Sequence, residues 1–247
     1  MSEPQKTGQD GERIAKYLAR AGIASRRDAE RMIDEGRVTL NGVRVTHPAT
    51  FVQPGDAVVV DGAAVAEPAR SRLWRYHKPA GLLTTHRDPE GRPTVFERLP
   101  ADLPRVVSIG RLDLNSEGLL LLTNDGALAR RLELPSTGWL RRYRVRVYGM
   151  VDPVRLAGLE RGITVEGVHY GPITAGIDSM KGMNSWLSVS ISEGKNREIR
   201  RVMAALNLQV TRLIRVAYGP FQLGNLAEGG VAEITGKVLR DQLPKSS

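Results

Sequence analysis

The chain contains no cysteine, which excludes disulfides and thiolate metal sites. Its four histidines, His47, His77, His86 and His169, are scattered, with no zinc-ligand spacing among them. No apolar run approaches a membrane span. Residues 1–11 are polar and lack the apolar stretch of a signal peptide. Neither a Walker-type phosphate loop nor a Gly-x-Gly-x-x-Gly fingerprint occurs. These absences point to a cytoplasmic protein working without metal or cofactor, with residues 1–10 as a disordered tail.

What the chain does carry is positive charge: 36 Lys+Arg against 27 Asp+Glu, a net of +9. A basic balance points to a polyanionic partner, usually nucleic acid. The excess is unevenly placed. Residues 1–66 hold nine basic and nine acidic side chains, and residues 67–247 hold the other 27 and 18. The larger C-terminal part therefore meets the anion itself. At 247 residues there is room for two domains, and 41% apolar content suffices for a sizeable core.

Near the N-terminus, Ile14, Leu18 and Ala21 share a helical face that Gly22 terminates. Ser25-Arg26-Arg27-Asp28 has capping-box spacing and opens a second helix with Ala29, Met32 and Ile33 inward. Gly36 stands where a helix C-terminus favours it. Residues 38–45 read as a hairpin around Asn41-Gly42, and Pro54-Gly55-Asp56 turns into Val58-Val59-Val60. Six basic residues lie within 13–31, with Arg27 and Arg31 on one face at i, i+4 spacing. Glu67-Pro68-Ala69-Arg70-Ser71 reads as a linker.

The most informative stretch is residues 110–126, Gly-Arg-Leu-Asp-Leu-Asn-Ser-Glu-Gly-Leu-Leu-Leu-Leu-Thr-Asn-Asp-Gly. Asp113 lies in a polar loop between the apolar runs Val106-Val107-Ser108-Ile109 and Leu119-Leu120-Leu121-Leu122. Bounded runs of that kind read as buried strands, and loops held by such a scaffold often carry chemistry. A lone Asp there would more commonly just bond its own turn. Further on, residues 142–148 alternate, with Tyr143, Val145 and Val147 on one face and Arg142, Arg144 and Arg146 on the other. The arginine face is a phosphate track or a solvated surface; the pattern does not separate the two. After a strand at 187–192, the run Glu193-Gly-Lys-Asn-Arg-Glu-Ile-Arg-Arg-Val-Met opens a helix with Ile199, Val202, Met203 and Leu206 as its buried stripe. On that wheel Arg197 and Arg201 lie opposite the stripe and Arg200 lies at its edge.

The string at 110–126 resembles the active-site motif of the RsuA family of pseudouridine synthases, in which the Gly-Arg-Leu-Asp aspartate is catalytic. Trp74-Arg75-Tyr76-His77-Lys78-Pro79 and Asp88-Pro89-Glu90-Gly91-Arg92-Pro93-Thr94-Val95 resemble two further signatures of that family. The segment 12–60 resembles the S-four-like RNA-binding domain. The resemblance covers about residues 12–240 and is nearest the large-subunit rRNA pseudouridine synthase B branch. Leu134 before Pro135 is a departure, since relatives usually carry His-Pro.

The resemblance implies an α+β chain with a small RNA-binding domain of two helices plus hairpin over 11–66. A linker at 67–71 would lead to a mixed, mostly antiparallel catalytic sheet over 72–240, with a tail at 241–247. It implies Asp113 as catalytic residue, Arg111 holding distorted RNA and Tyr143 under the target base. Base–aromatic stacking is worth about 1–3 kcal/mol. Arg200 would pair with Asp113 and keep it ionised in a pocket that excludes water, and Leu213 would pack in the same pocket. Arg26, Arg27, Arg31, Lys195, Arg197 and Arg201 would contact RNA backbone.

The activity implied is isomerisation of a uridine flipped from a stem-loop of ribosomal RNA, by a monomer that needs no cofactor. Asp113 could add covalently or take a ribose proton. Two rivals stay open: a non-catalytic RNA-binding assembly factor, and the same enzyme class acting on small-subunit rRNA.

Overall fold

The computed structural model describes residues 11–235. The tails expected at 1–10 and 241–247, and residues 236–240, lie outside that range. The chain divides into two compact units, Met1–Ser71 and Arg72–Ser247.

In the first unit, α1 (Ile14–Arg20) and α2 (Arg26–Asp34) pack through Ile14, Leu18, Ala29 and Ile33. Ser25 caps α2: its hydroxyl oxygen accepts the Asp28 amide at 3.1 Å, a cap worth about 1 kcal/mol. Strands Val38–Leu40 and Val43–Arg44 form the hairpin, and Val58–Val60 pairs on the other side of Val38–Leu40. Asn41 and Gly42 both take positive φ, as an Asn-Gly hairpin turn requires.

The second unit is a nine-stranded mixed sheet with helices. Its main strands are β1 (Leu73–Lys78), β2 (Val107–Ile109), β3 (Glu117–Thr123), β4 (Arg141–Tyr148), β5 (Ile173–Lys181), β6 (Asn184–Ile191), β7 (Gln209–Tyr218) and β8 (Val231–Ile234). Their order is β5-β6-β4-β7-β3-β1-β8, with β2 beside β3. Only the β7–β3 pair is parallel among these.

Strand β3 is buried on both faces, so its sequence is continuously apolar rather than alternating. Leu119 and Leu121 join the cluster under α3 (Gly126–Glu133), and Leu120 and Leu122 join the main core. Asp125 caps α3 by accepting the Ala127 and Leu128 amides. Thr123 Oγ1 donates to Arg72 O and accepts the Asp125 amide. Half of the 110–126 string is thus architectural. Gly118 shows why: at φ +100° a Cβ would sit 2.3 Å from the Arg215 carbonyl oxygen, so only glycine lets β3 and β7 meet.

On β4, Tyr143, Val145 and Val147 are buried while Arg142, Arg144 and Arg146 are exposed, so the alternation reads through. Helix α4 (Pro153–Gly158) contributes Leu156 to the core, and α5 (Glu198–Ala205) covers the Tyr143 face with Ile199, Val202 and Met203.

Candidate active site

The loop carrying Asp113 runs from β2 to β3 and is held almost entirely through its main chain. Lys78 ends β1 on the inward side of the strand, after Trp74 and Tyr76, and is fully buried. Its ammonium donates to four carbonyls: Pro79 at 2.9 Å, Asp113 at 3.2 Å, Leu114 at 3.3 Å and Ser116 at 2.8 Å. Burial pushes the Lys78 pKa down to about 8, with Asp113 and Glu117 pulling the other way. Thr84 brackets Leu112, donating to its carbonyl at 2.9 Å and accepting its amide at 3.3 Å. The Gly110 amide donates to Glu133 at 2.6 Å, and the Gly81 amide to Leu114 O at 2.8 Å.

The Asp113 carboxylate, by contrast, faces an open cleft of about 870 Å³. Its side chain is 34% exposed, and the cation nearest to it is Arg197, at 3.9 Å. Arg111, Tyr143, Lys195, Arg197 and Leu213 line the same cleft. Tyr143 is 8% exposed, and it lies across from Arg215 on β7 and Val189 on β6. Leu213 is two residues from Arg215 on the same face of β7 and is buried.

Three expectations need correction. The helix begins at Glu198, not within 193–197. Arg197 is its N-terminal flanking residue in the left-handed region, at φ +50°, so the helical wheel does not extend to it. Arg197 consequently turns into the cleft, where it is the salt-bridge partner of Asp113, instead of standing on the outer face. Arg200 is half-buried but makes no ion pair with Asp113: Nη2 donates to Asn115 O at 2.7 Å and Nη1 to Val210 O at 3.3 Å. It holds the Asp113 loop by main chain. Burial and the Arg197 charge lower its pKa, and Asp113 opposes them. The cleft is also open, with the Asp113 side chain 34% exposed, so the expected water-excluded pocket is not formed by the chain itself.

Arg201 is exposed on α5 and does not line the cleft. Arg26, Arg27 and Arg31 are exposed in the first unit, where Arg31 pairs with Asp28 at 3.0 Å and with Glu35 at 3.8 Å. Lys195 pairs with Glu193 at 2.6 Å and donates to His169 O at 2.7 Å.

The structure adds groups that residue-level reading passed over. Lys78 is one; a lysine at a buried position of an alternating strand is the signal that marks it. Glu198 is another, a buried carboxylate that accepts the Lys195 amide at 2.9 Å and whose pKa is raised by burial. Arg141 and Arg215 flank Tyr218 at 5.0 and 5.2 Å from its ring. Arg215 is 3% exposed, and its Nε donates to Leu119 O at 2.8 Å. Among the described residues no group of three His, Asp or Glu could hold a metal ion, and no helix is long and apolar enough to cross a membrane.

A cleft that sets the Asp113 carboxylate beside a base-sized aromatic, Tyr143, among several arginines suits an enzyme that works on RNA. The chain belongs to the RNA pseudouridylate synthase family, whose model matches residues 72–205, preceded by an S4 domain at residues 12–58. An uncharacterized RNA pseudouridine synthase of Rickettsia felis is 48% identical over 92% of this chain and 99% of its own length. Ribosomal large subunit pseudouridine synthase B of Escherichia coli strain K12 is 44% identical over 90% of this chain and 79% of its own. A crystal structure of a pseudouridylate synthase superposes with TM-score 0.64 at 25% identity, covering 94% of this chain and 99% of the other.

Proposed function

We propose that this enzyme isomerises a uridine in a stem-loop of large-subunit ribosomal RNA, with Asp113 as the catalytic residue. The observation that carries the residue assignment is the Asp113 carboxylate in the cleft, 3.9 Å from Arg197 and sharing that cleft with Tyr143 and Leu213. The likeness to the Escherichia coli large-subunit enzyme supports the choice of RNA. Since ribosomal RNA is the substrate in this reading, the enzyme acts in the cytoplasm, and one chain holds every group named, consistent with a monomer.

The uridine leaves its stack at a cost of a few kcal/mol and rests against Tyr143. RNA closing over the cleft removes water from Asp113. Burial alone would then favour the neutral acid, and the Arg197 guanidinium opposes that without losing its own charge. Asp113 starts cleavage of the N1–C1′ bond; the base turns while trapped; C5 bonds C1′; C5 gives up a proton and N1 gains one. The balance is a pure isomerisation. Arg111, exposed at the mouth, steadies the displaced strand, and Lys195 and Arg197 lie along the path of its phosphates. In the first unit, Arg26, Arg27 and Arg31 add phosphate contacts, and Arg201 adds one from the outer face of α5.

The test uses large- and small-subunit rRNA transcribed without modification. The parent protein should form pseudouridine at a defined site in the large-subunit RNA alone. Asp113→Asn should bind that RNA and form none. Product from the Asn variant would remove Asp113 from the role. Product confined to small-subunit RNA would overturn the substrate choice.

A further inference from the structure

The arginine row on β4 is not used by the cleft. Arg142, Arg144 and Arg146 are exposed on the face opposite Tyr143. Residues directly paired across strands share a face. Arg146 is therefore beside Trp186 on β6 and Arg212 on β7, while Arg144 and Arg142 are beside Ser188 and Ser190. Arg144 lies over the Trp186 ring at 4.8 Å and reaches Asp178 at 3.9 Å. Arg212 grips Glu117 at 2.8 and 2.9 Å. Arg142 and Arg146 have no acidic partner among the described residues. Tyr148, at the end of the row, is 49% exposed.

Arg146 faces Arg212 directly, and Glu117 compensates only Arg212, so Arg146 is left as an unpartnered cation beside a like charge. A row of cations about 6.7 Å apart, the spacing of alternate strand residues, complements a chain of regularly repeated negative charges. Ser188 is already engaged, its hydroxyl donating to Asp178 at 2.6 Å, but the Ser190 hydroxyl and the exposed Tyr148 beside the row suit ribose, phosphate and an unpaired base.

We propose that this face is a second RNA-binding surface, on the opposite side of the sheet from the cleft, with Arg142 and Arg146 neutralising phosphates of the substrate RNA beyond its target stem-loop. The inference rests on the reading that RNA occupies the cleft. A short hairpin seated against Tyr143 stays on the cleft side, whereas a long folded RNA reaches both faces.

The test compares the full-length parent with an Arg142→Gln/Arg146→Gln variant on two probes, a short stem-loop containing the target uridine and intact large-subunit rRNA. Affinity is measured over a salt series. On intact rRNA the slope of log affinity against log salt should shrink by about 1.4 to 1.8, two phosphates at roughly 0.7 to 0.9 each. On the stem-loop both slope and affinity should match the parent. Turnover at saturating stem-loop should be unchanged, which also shows that the variant is folded. Equal slopes on both probes would overturn the proposal. An equal loss on both probes would also overturn it, because the charges would then be acting as general attraction, not as a separate surface. If the parent forms no pseudouridine on either probe, the functional reading falls while the slopes still report on this face.

Discussion

At the floor of the cleft, the Asp113 loop is gripped through its peptide groups: Lys78 takes three of its carbonyls, Thr84 both polar groups of Leu112, and Arg200 the Asn115 carbonyl. At the rim, Arg197 stands half-exposed in a left-handed conformation and reaches the Asp113 carboxylate only at 3.9 Å. The two regions divide the work. The floor sets where Asp113 is, by contacts that exist without substrate. The rim leaves its charge loosely partnered, and in the function proposed above its electrostatics would tighten as RNA displaces water. Preorganised position with an incomplete shell is what a site needs if binding is to complete it.

The sharpest way to break the floor is Lys78→Met, which keeps an unbranched chain but leaves buried carbonyls without their shared donor. Net destabilisation should be about 3 kcal/mol. The thermal midpoint of the catalytic unit should fall by about 10 °C. Activity measured well below that midpoint should also drop, since the Asp113 loop loses its anchor. A variant as stable and active as the parent would show that Thr84 and Arg200 suffice.

Arg200→Ala tests the smaller anchor. It removes the donor to Asn115 and Val210 and should cost about 1–2 kcal/mol, with a drop in single-turnover rate. Arg197→Ala tests the rim and should behave differently. An exposed pair at this separation contributes little to folding, so stability should change by less than about 0.5 kcal/mol. The chemical step should nonetheless slow about 10- to 100-fold at saturating RNA, with Lys at 197 restoring part of the rate through charge alone. If Arg200→Ala slows the chemistry more than Arg197→Ala while leaving stability intact, the roles assigned to these two arginines would have to be exchanged.

These contrasts also explain what could be read from the chain alone. Local patterns carried the strands and caps: the alternation of residues 142–148, the unbroken Leu run of β3, Ser25 three residues before Asp28, and the Asn41-Gly42 turn. In each case the deciding interaction lies within a few residues. Arg197 was misplaced because helical periodicity was extended past a helix start that no side-chain cap marks. The positive φ at that residue follows from how the 193–197 loop joins β6 to α5. Lys78 went unassigned because its acceptors are main-chain atoms, three of them 35 to 38 residues away, and carbonyl oxygens leave no imprint in a side-chain pattern. The water-excluded pocket was not legible because nothing among the described residues covers Asp113, whose side chain is 34% exposed.

The mildest test of the same comparison is pH. Burial holds the Lys78 pKa at about 8, against an ordinary 10.5. Above about pH 8 the folded protein therefore releases this proton, while the unfolded chain keeps it until near 10.5. In that window the unfolded state binds more protons, so this group's contribution to stability rises with pH. The loop responds in the opposite sense, because a neutral amine has two hydrogens for four carbonyls and grips Asp113 less well. Single-turnover rate should decline a few-fold from about pH 7 to about pH 9 with a midpoint near 8, while Lys78 causes no matching loss of thermal stability. Lys78→Arg stays charged throughout, so whatever rate it shows at neutral pH should persist across the window. A rate that falls equally in that variant would place the titrating group elsewhere and leave the floor of the cleft independent of pH.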